Sequence, residues 1–157
     1  MTFDDTGRRL ITGGRDGLCK LWNFNNGHCL RILRKDNAQE VSDVKYTKIY
    51  NNKFVVTVGW DRSINIYDDD INDVRVFTDP NPRWIDDIEN GHNEDILCLA
   101  KSESNFLATS GYDGEIIVWN MVSGHIFTKL NSPRPHHYND DNCNFLCFNF
   151  LAHAFYL

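Results

Sequence analysis

The sequence lacks a long hydrophobic run, an apolar leader and a paired set of cysteines. Its longest apolar stretch, Phe145 to Leu157, is interrupted by polar residues and is too short to span a bilayer as a helix. The N-terminal residues, Met1 to Gly7, are polar and do not resemble a secretory signal. The 5 cysteines are odd in number, which is typical of thiols in a reducing compartment rather than of a disulfide framework. These absences predict a soluble cytoplasmic protein.

A basic excess is also absent, since the formal net charge is -6. Nucleic acids and acidic lipid surfaces are therefore disfavoured as partners. A local basic patch is one alternative, and its members would be Arg8, Arg9, Arg31, Arg34 and Lys35. Scattered charges solvated at the surface are the more common arrangement. We expect neither a nucleic-acid partner nor a membrane partner.

The usual motifs of catalysis and cofactor binding are missing. There is no phosphate-binding glycine loop, dinucleotide fingerprint, nucleophile elbow or His-Glu-x-x-His helix. The run at 68–79 begins like a calcium loop, but Asp73 replaces the required Gly and Asp79 the required Glu. Four possible zinc ligands in an unfamiliar spacing are His136, His137, Cys143 and Cys147. We expect no enzymatic activity, no cofactor and no metal site.

The sequence does contain a pattern that occurs three times, in residues 10–23, 55–68 and 107–120. In each copy a Thr stands four residues before an Asp, and an aromatic residue stands six residues after it. The three sets are Thr12, Asp16 and Trp22; Thr57, Asp61 and Tyr67; and Thr109, Asp113 and Trp119. A repeat of about 45 to 52 residues indicates stacked structural units.

Each copy predicts a β-hairpin. The dipeptides Asp16-Gly17 and Asp113-Gly114 are strong turn signals because Gly tolerates positive φ. Arg62 takes the Gly position in the second copy, so that turn is either slightly strained or of another type. Further apolar runs flank the hairpins at 29–33, 41–46, 74–77, 96–100 and 126–130. The order predicts four strands per unit and no long amphipathic helix.

The run Gly91-His92, Thr109, Asp113 and Trp119-Asn120 resembles a WD repeat, and the resemblance covers about residues 1–130. It implies one four-stranded propeller blade per repeat and a protein that binds other proteins. It also implies a buried structural relay of His, Thr, Asp and Trp. By this match the third unit has all four members, with His92; the second lacks the His, and that of the first would precede Met1. A set that recurs in each blade with members lost argues against catalysis.

The expected fold is all-β: a partial β-propeller of about three four-stranded antiparallel blades in an incomplete ring. Blade 1 comprises residues 1–35 without its first strand, blade 2 comprises 36–77, and blade 3 comprises 91–130. Residues 78–90 form an inter-blade insertion, and 131–157 form a linker with either the start of a further blade or a truncated tail. Three blades cannot close a ring. The chain is therefore either a fragment or short isoform, or another chain covers its exposed blade faces.

The resemblance places the residue before each relay Asp on one face of the propeller. These residues are Arg15, Trp60 and Tyr112, and their types are enriched in binding hot spots. We expect them to contact partners, although Trp60 packed over its own blade is the alternative. Trp84, in the insertion, either anchors a partner or caps a blade.

Residues 3–17 also resemble a narrower group, that of WD repeat-containing protein 49, whose members are large proteins of motile cilia. The resemblance implies an axonemal scaffold on doublet microtubules, located in the cytoskeleton, with axonemal or microtubule-associated subunits as partners. The alternative is a soluble adaptor that brings clients to a multiprotein machine such as a ubiquitin ligase.

Overall fold

The computed structural model describes residues 1–33, 39–69, 77–78, 90–102 and 104–131. Within these ranges the fold is all-β, as predicted, and no helix is long and apolar enough to cross a membrane. The strands are β1 Thr2–Phe3, β2 Arg9–Gly13, β3 Cys19–Asn23, β4 Cys29–Leu33, β5 Val41–Ile49, β6 Asn52–Gly59, β7 Ile64–Asp68, β8 Phe77–Thr78, β9 Ile96–Lys101, β10 Phe106–Gly111, β11 Glu115–Asn120 and β12 Ile126–Asn131.

The strands form three sheets side by side. The first has the order β1-β2-β3-β4-β8, the second β5-β6-β7, and the third β12-β11-β10-β9. Neighbouring strands are antiparallel except for β4 and β8, which are parallel. Strand β5 contacts both β2 and β9, so the sheets follow one another as three blades. The sheets that the described residues form do not close into a ring, which agrees with the predicted partial propeller.

Two strand predictions need correction. The first strand of blade 1 was expected to be missing, but β1 supplies two residues of it, and Thr2 pairs with Ile11. Of the run at 74–77, which was expected to end blade 2, the structure describes Phe77, and this residue pairs with Ile32 of blade 1. Residues 74–76 lie outside the described residues. Strand β4 is the last strand of blade 1, so the N–H and C=O groups along its outer edge have no partner within the blade. An extended segment such as β8 can pair with them. Residues 79–89 of the predicted insertion and 132–157 of the predicted tail lie outside the described residues.

The core lies between the blades because alternate residues of β6 face opposite neighbours. Val55 packs towards blade 1, whereas Val56 and Val58 pack towards blade 3. The first cluster contains Ile11, Cys19, Leu21, Leu33, Val44, Tyr46, Val55 and Tyr67. The second contains Phe54, Val56, Val58, Ile66, Ile96, Leu99, Leu107, Ile117, Trp119 and Met121. Each fully buried aliphatic side chain stabilises the fold by about 2 kcal/mol.

The end of β6 lies against the chain that enters β5. The N–H of Trp60 donates to the carbonyl of Glu40 over 3.0 Å, and a Cβ on Gly59 would collide with that same carbonyl oxygen. We expect Gly59→Ala to lower the free energy of unfolding by about 2 kcal/mol, because the backbone must move. A urea denaturation measurement checks this. Gly27→Ala is the control for a change with open space around the new Cβ, at a positive φ of 70°. A loss at Gly59 smaller than that at Gly27 would contradict the argument.

Candidate interaction surface at the hairpin turns

The three predicted hairpin turns share one geometry. In each, an N–H donates to the carbonyl of the Gly three residues earlier, over 3.2 Å from Gly17, 3.2 Å from Arg62 and 3.0 Å from Gly114. The donor residue has positive φ each time: 74°, 57° and 82°. This is a three-residue hairpin loop that ends in a left-handed residue. Arg62 thus adopts the same type of turn as its glycine counterparts. The turn is strained at this position, because a non-glycine residue rarely adopts a left-handed conformation.

The three repeated aspartates brace these turns. Each Oδ1 accepts the backbone N–H of the residue two positions further on, over 3.1 Å for Asp16, 3.2 Å for Asp61 and 2.9 Å for Asp113. This is the local bond that short acidic side chains favour in turns. The resemblance implied buried aspartates, but Asp16 is exposed and the other two are only partly buried. Their shared contact is with their own turn.

In blade 3 the structure brings together three of the four predicted relay residues. The His92 Nε2 and Thr109 Oγ1 atoms are 2.7 Å apart, and Trp119 Nε1 donates to Thr109 Oγ1 over 2.8 Å. All three residues are buried. His92 Nδ1 has no hydrogen-bond partner within the described part of the chain, so the implied bond from His92 to Asp113 is not made there.

Asp113 nevertheless lies close to the relay. The positions of His92 Nδ1 and Asp113 Oδ1 are 2.8 Å and 2.7 Å from the point where a Gly111 Cβ would stand. His92, Asp113 and Glu115 each offer one ligand atom, and these atoms lie within 4.8 Å of one another. These three side chains are the group of described residues that could hold a metal ion. Lys129 Nζ already lies 3.4 Å from Glu115 Oε1.

The other two blades keep different parts of the pattern. In blade 1 Trp22 Nε1 donates to Thr12 Oγ1 over 2.9 Å in a partly buried position. In blade 2 Asp61 Oδ2 accepts bonds from Ser63 Oγ over 2.6 Å and from Asn65 Nδ2 over 3.1 Å. Thr57 is buried, and Tyr67 packs in the apolar cluster between blades 1 and 2.

The state of His92 makes stability depend on pH. Burial disfavours the imidazolium and, although the Asp113 carboxylate acts in the opposite direction, lowers the pKa of His92 to about 4. The unfolded chain binds this proton near pH 6.5. The stability contributed by neutral His92 is therefore fully present above pH about 6.5. We expect the free energy of unfolding to fall as the pH falls from about 6.5 to about 4. Denaturation at several pH values checks this, with His92→Asn as the variant that should flatten the profile. An equal slope in that variant would contradict the assignment.

The residues before the three aspartates stand at the tips of the turns. Trp60 is 44% and Tyr112 46% exposed, and the Arg15 side chain is more exposed still. Trp60 thus does not pack fully over its own blade. We call Arg15, Trp60 and Tyr112 the turn surface. Trp84 lies outside the described residues.

Direct contacts link the turns across the blades. Arg15 Nε lies 3.3 Å from Glu40 Oε2, and the Glu40 carbonyl accepts the Trp60 N–H. Arg62 Nη1 donates to the Asn93 carbonyl over 3.2 Å, which joins the turn of blade 2 to the entrance of blade 3. The turn surface therefore rests on a connected backbone frame.

Sequence reasoning missed a group of buried and partly buried polar side chains between blades 1 and 2. Arg9 donates to both carboxylate oxygens of Asp69, over 3.0 and 2.6 Å, and its Nε lies 3.0 Å from Asp4 Oδ2. Tyr46 donates to Asp69 over 2.8 Å, and Arg31 Nη1 lies 3.5 Å from Asp69 Oδ1. We call these five residues the inter-blade ion network. No local pattern signals it, because Arg9 and Asp69 are far apart in sequence.

The ion network corrects the interpretation of the basic residues. Arg9 and Arg31 are neither solvated charges nor part of a basic patch; Arg34 and Lys35 lie outside the described residues. Burial alone would raise the pKa of Asp4, but hydrogen bonds from Arg9 and Thr6 outweigh it and lower the pKa to about 2. Asp4 therefore stabilises the fold above its ordinary pKa, and this stability is lost as the pH falls towards 2.

Comparison with known proteins places this geometry in a family. The family described as "WD domain, G-beta repeat" matches residues 1–23, 27–68 and 87–120. The WD repeat-containing protein on Y chromosome of Drosophila grimshawi is 32% identical over 138 residues, covering 87% of this chain and 11% of the relative. The Drosophila virilis protein of the same name is 33% identical over 135 residues, covering 85% and 10%. The chain thus spans about a tenth of the length of these curated relatives.

A solved structure supports the fold. The crystal structure of the computationally designed Ika8 protein superposes with a TM-score of 0.57 at 21% identity, covering 78% of this chain and 33% of that one. The three matched segments contain the three hairpins with their aspartate-braced turns. The chain belongs to the WD repeat family.

Proposed function

We propose that this chain acts as a non-catalytic protein-interaction scaffold in the axoneme of motile cilia, attached to doublet microtubules. The observation that carries the scaffold proposal is the turn surface, where two aromatic side chains and an arginine are exposed at equivalent positions of adjacent blades. Such side chains bind strongly when a partner covers them. The ciliary setting rests on the resemblance of residues 3–17 to the WD repeat-containing protein 49 group.

The frame beneath the turn surface supports this proposal. Each turn is held by a backbone bond and by its Asp, so the tip side chain is presented without depending on partner contacts for its position. A preorganised surface loses less conformational entropy on binding. The Thr hydroxyls of blades 1 and 3 accept indole N–H groups, which suits a structural role better than a nucleophilic one.

We expect Trp60→Ala to reduce recovery of axonemal partners about tenfold or more, because Trp60 is the largest side chain of the turn surface. The thermal melt should stay unchanged. The measurement is quantitative pull-down of the tagged chain from multiciliated cells, with Leu30→Ala as control for loss of an exposed apolar side chain away from the turns. Equal recovery by the Trp60 and Leu30 variants would contradict the role of the turn surface.

The axonemal setting has its own test. A scaffold should sediment with isolated axonemes after extraction with detergent and salt, and it should lie along the doublets in immunogold images. Complete release into the soluble fraction would contradict the axonemal proposal. That result would favour the adaptor that brings clients to a machine such as a ubiquitin ligase, and the partners recovered by the chain would distinguish the two.

A further inference from the structure

The end of the blades opposite the turn surface carries exposed aromatic side chains. Phe24 is 58%, Tyr50 76% and Phe127 66% exposed. Phe24 follows β3, Tyr50 lies between β5 and β6, and Phe127 lies near the start of β12. The strand registers place all three away from the braced turns. Large apolar side chains that are exposed together at one end of a folded protein, rather than scattered singly, are typical of an interaction site. We call this the loop surface.

Contacts between neighbouring blades hold their loop ends side by side. Lys53 Nζ of blade 2 lies 3.0 Å from Asp5 Oδ2 of blade 1. Met121 of blade 3 is packed against blade 2, where Thr47 Oγ1 lies 4.0 Å from its sulfur. The aromatic residues are also positioned by neighbours, since the rings of Phe24 and Phe3 are 5.1 Å apart. The loop ends of the three blades thus form one face.

The conformation of Tyr50 supports a functional role for this face. Tyr50 has a φ of 54°, in the left-handed region that an aromatic residue occupies at a cost of about 1–2 kcal/mol. Gly or Asn would make this turn without that strain. The strained position leaves the ring in solvent, where it contributes little burial to the fold. Strain of this kind is found at sites of recognition.

The charge of the loop surface indicates the kind of partner. Arg8, Lys48 and Lys101 are exposed, and among the described residues none of the three side chains forms an ion pair. Lys48 also stands directly opposite Lys53 in the β5–β6 register. At the turn end, by contrast, the exposed or partly exposed acidic residues are Asp16, Glu40, Asp61, Glu94, Asp95 and Asp113. The exposed acidic residues of the loop end are Asp5, which pairs with Lys53, and Asp68, so basic side chains outnumber acidic ones there. At the turn end the exposed Arg15 and Arg62 are outnumbered by the acidic residues.

We propose that the loop surface is a second docking site, which binds a partner segment that is rich in carboxylates and carries aliphatic or aromatic side chains. The carboxylates complement Arg8, Lys48 and Lys101, and the apolar side chains cover Phe24, Tyr50 and Phe127. Complementary charges set the orientation and the rate of encounter, and burial of the aromatic rings supplies affinity. This site is separate from the turn surface, so one chain can connect two partners.

The test begins with selection of random dodecapeptides displayed on phage against the immobilised chain. We expect the enriched peptides to combine Asp or Glu with aromatic or aliphatic residues. Affinity of one enriched peptide is then measured by fluorescence polarisation. The variant Lys48→Glu/Lys101→Glu should weaken binding about tenfold, equivalent to about 1.4 kcal/mol. Raised salt should also weaken binding, because the charges are exposed. Tyr50→Gly should weaken binding while keeping or raising the melting temperature.

Trp60→Ala serves as the matched control at the turn surface, and it should leave the affinity of this peptide unchanged. Failure to enrich any peptide would overturn the proposal, and so would enrichment of basic peptides. Acidic peptides whose binding is lost in Trp60→Ala but kept in Lys48→Glu/Lys101→Glu would overturn it as well. None of these results bears on axonemal sedimentation, so the two proposals fail separately.

Discussion

Arg9→Met is expected to lower the free energy of unfolding by about 3–5 kcal/mol, the largest loss of any single change considered for this chain. The Asp69 side chain is fully buried, and Arg9 is the residue that bonds both of its oxygens. Methionine fills a similar volume but leaves Asp69 and Asp4 without the guanidinium that compensates them. Chemical denaturation measures the loss. Tyr46 and Arg31 still contact Asp69, so the protein should remain foldable at low temperature.

Arg8→Met is the matched control, because Arg8 is the exposed neighbour of Arg9 and forms no ion pair within the described residues. Its effect should lie within about 0.5 kcal/mol of the parent. The double variant Arg9→Met/Asp69→Leu should lose less than its two single changes combined, since it removes both charges. Strict additivity, or similar losses for Arg8→Met and Arg9→Met, would contradict the role of the ion network.

Thr109→Val is expected to lower the free energy of unfolding by about 3 kcal/mol. Valine matches threonine in shape, but its methyl group cannot accept the Trp119 N–H or bond His92 Nε2. Each buried group left without a partner costs about 1–3 kcal/mol. Calorimetric and chemical denaturation both report the loss, and near-ultraviolet circular dichroism reports the changed surroundings of Trp119.

Two comparisons test whether the hydroxyl group is responsible. Thr109→Ser keeps the oxygen and should retain most of the stability. Thr12→Val removes the corresponding bond to Trp22, but that pair is only partly buried and has no histidine among its described neighbours, so its loss should be smaller. A valine variant as stable as the parent, together with a serine variant that loses stability, would show that methyl packing rather than the hydrogen bonds decides the stability.

Residue patterns within one hairpin could be interpreted from the sequence alone. The resemblance implied a relay that includes the Thr and the aromatic residue of each repeat, and Thr12 with Trp22 and Thr109 with Trp119 form hydrogen bonds. The repeated hairpins and flanking apolar runs predicted an all-β chain with four strands per unit, and the resemblance to WD repeats implied the partial propeller. The resemblance also implied that Arg15, Trp60 and Tyr112 lie on one face, and the structure shows them exposed at the tips of the turns.

Contacts between distant segments could not be predicted. Arg9 contacts Asp69 because blades 1 and 2 pack together, and no sequence pattern near either residue identifies its partner. The close approach of Gly59 to Glu40 depends on the path between blades, which one sequence does not specify. The loop surface was missed because Tyr50 in a turn and Phe127 at a strand start look like ordinary β-sheet residues. Their exposure depends on which ends of the strands meet.

The shared turn geometry separates the residues that hold a loop from the residue that the loop displays. Arginine, tryptophan and tyrosine occupy the same corner in three blades, although the bonds beneath them are the same. A change of side chain at this corner therefore leaves the framework intact. We therefore expect an exchange of the corner residue between two blades to alter the exposed surface while the hydrogen bonds that shape each turn stay in place.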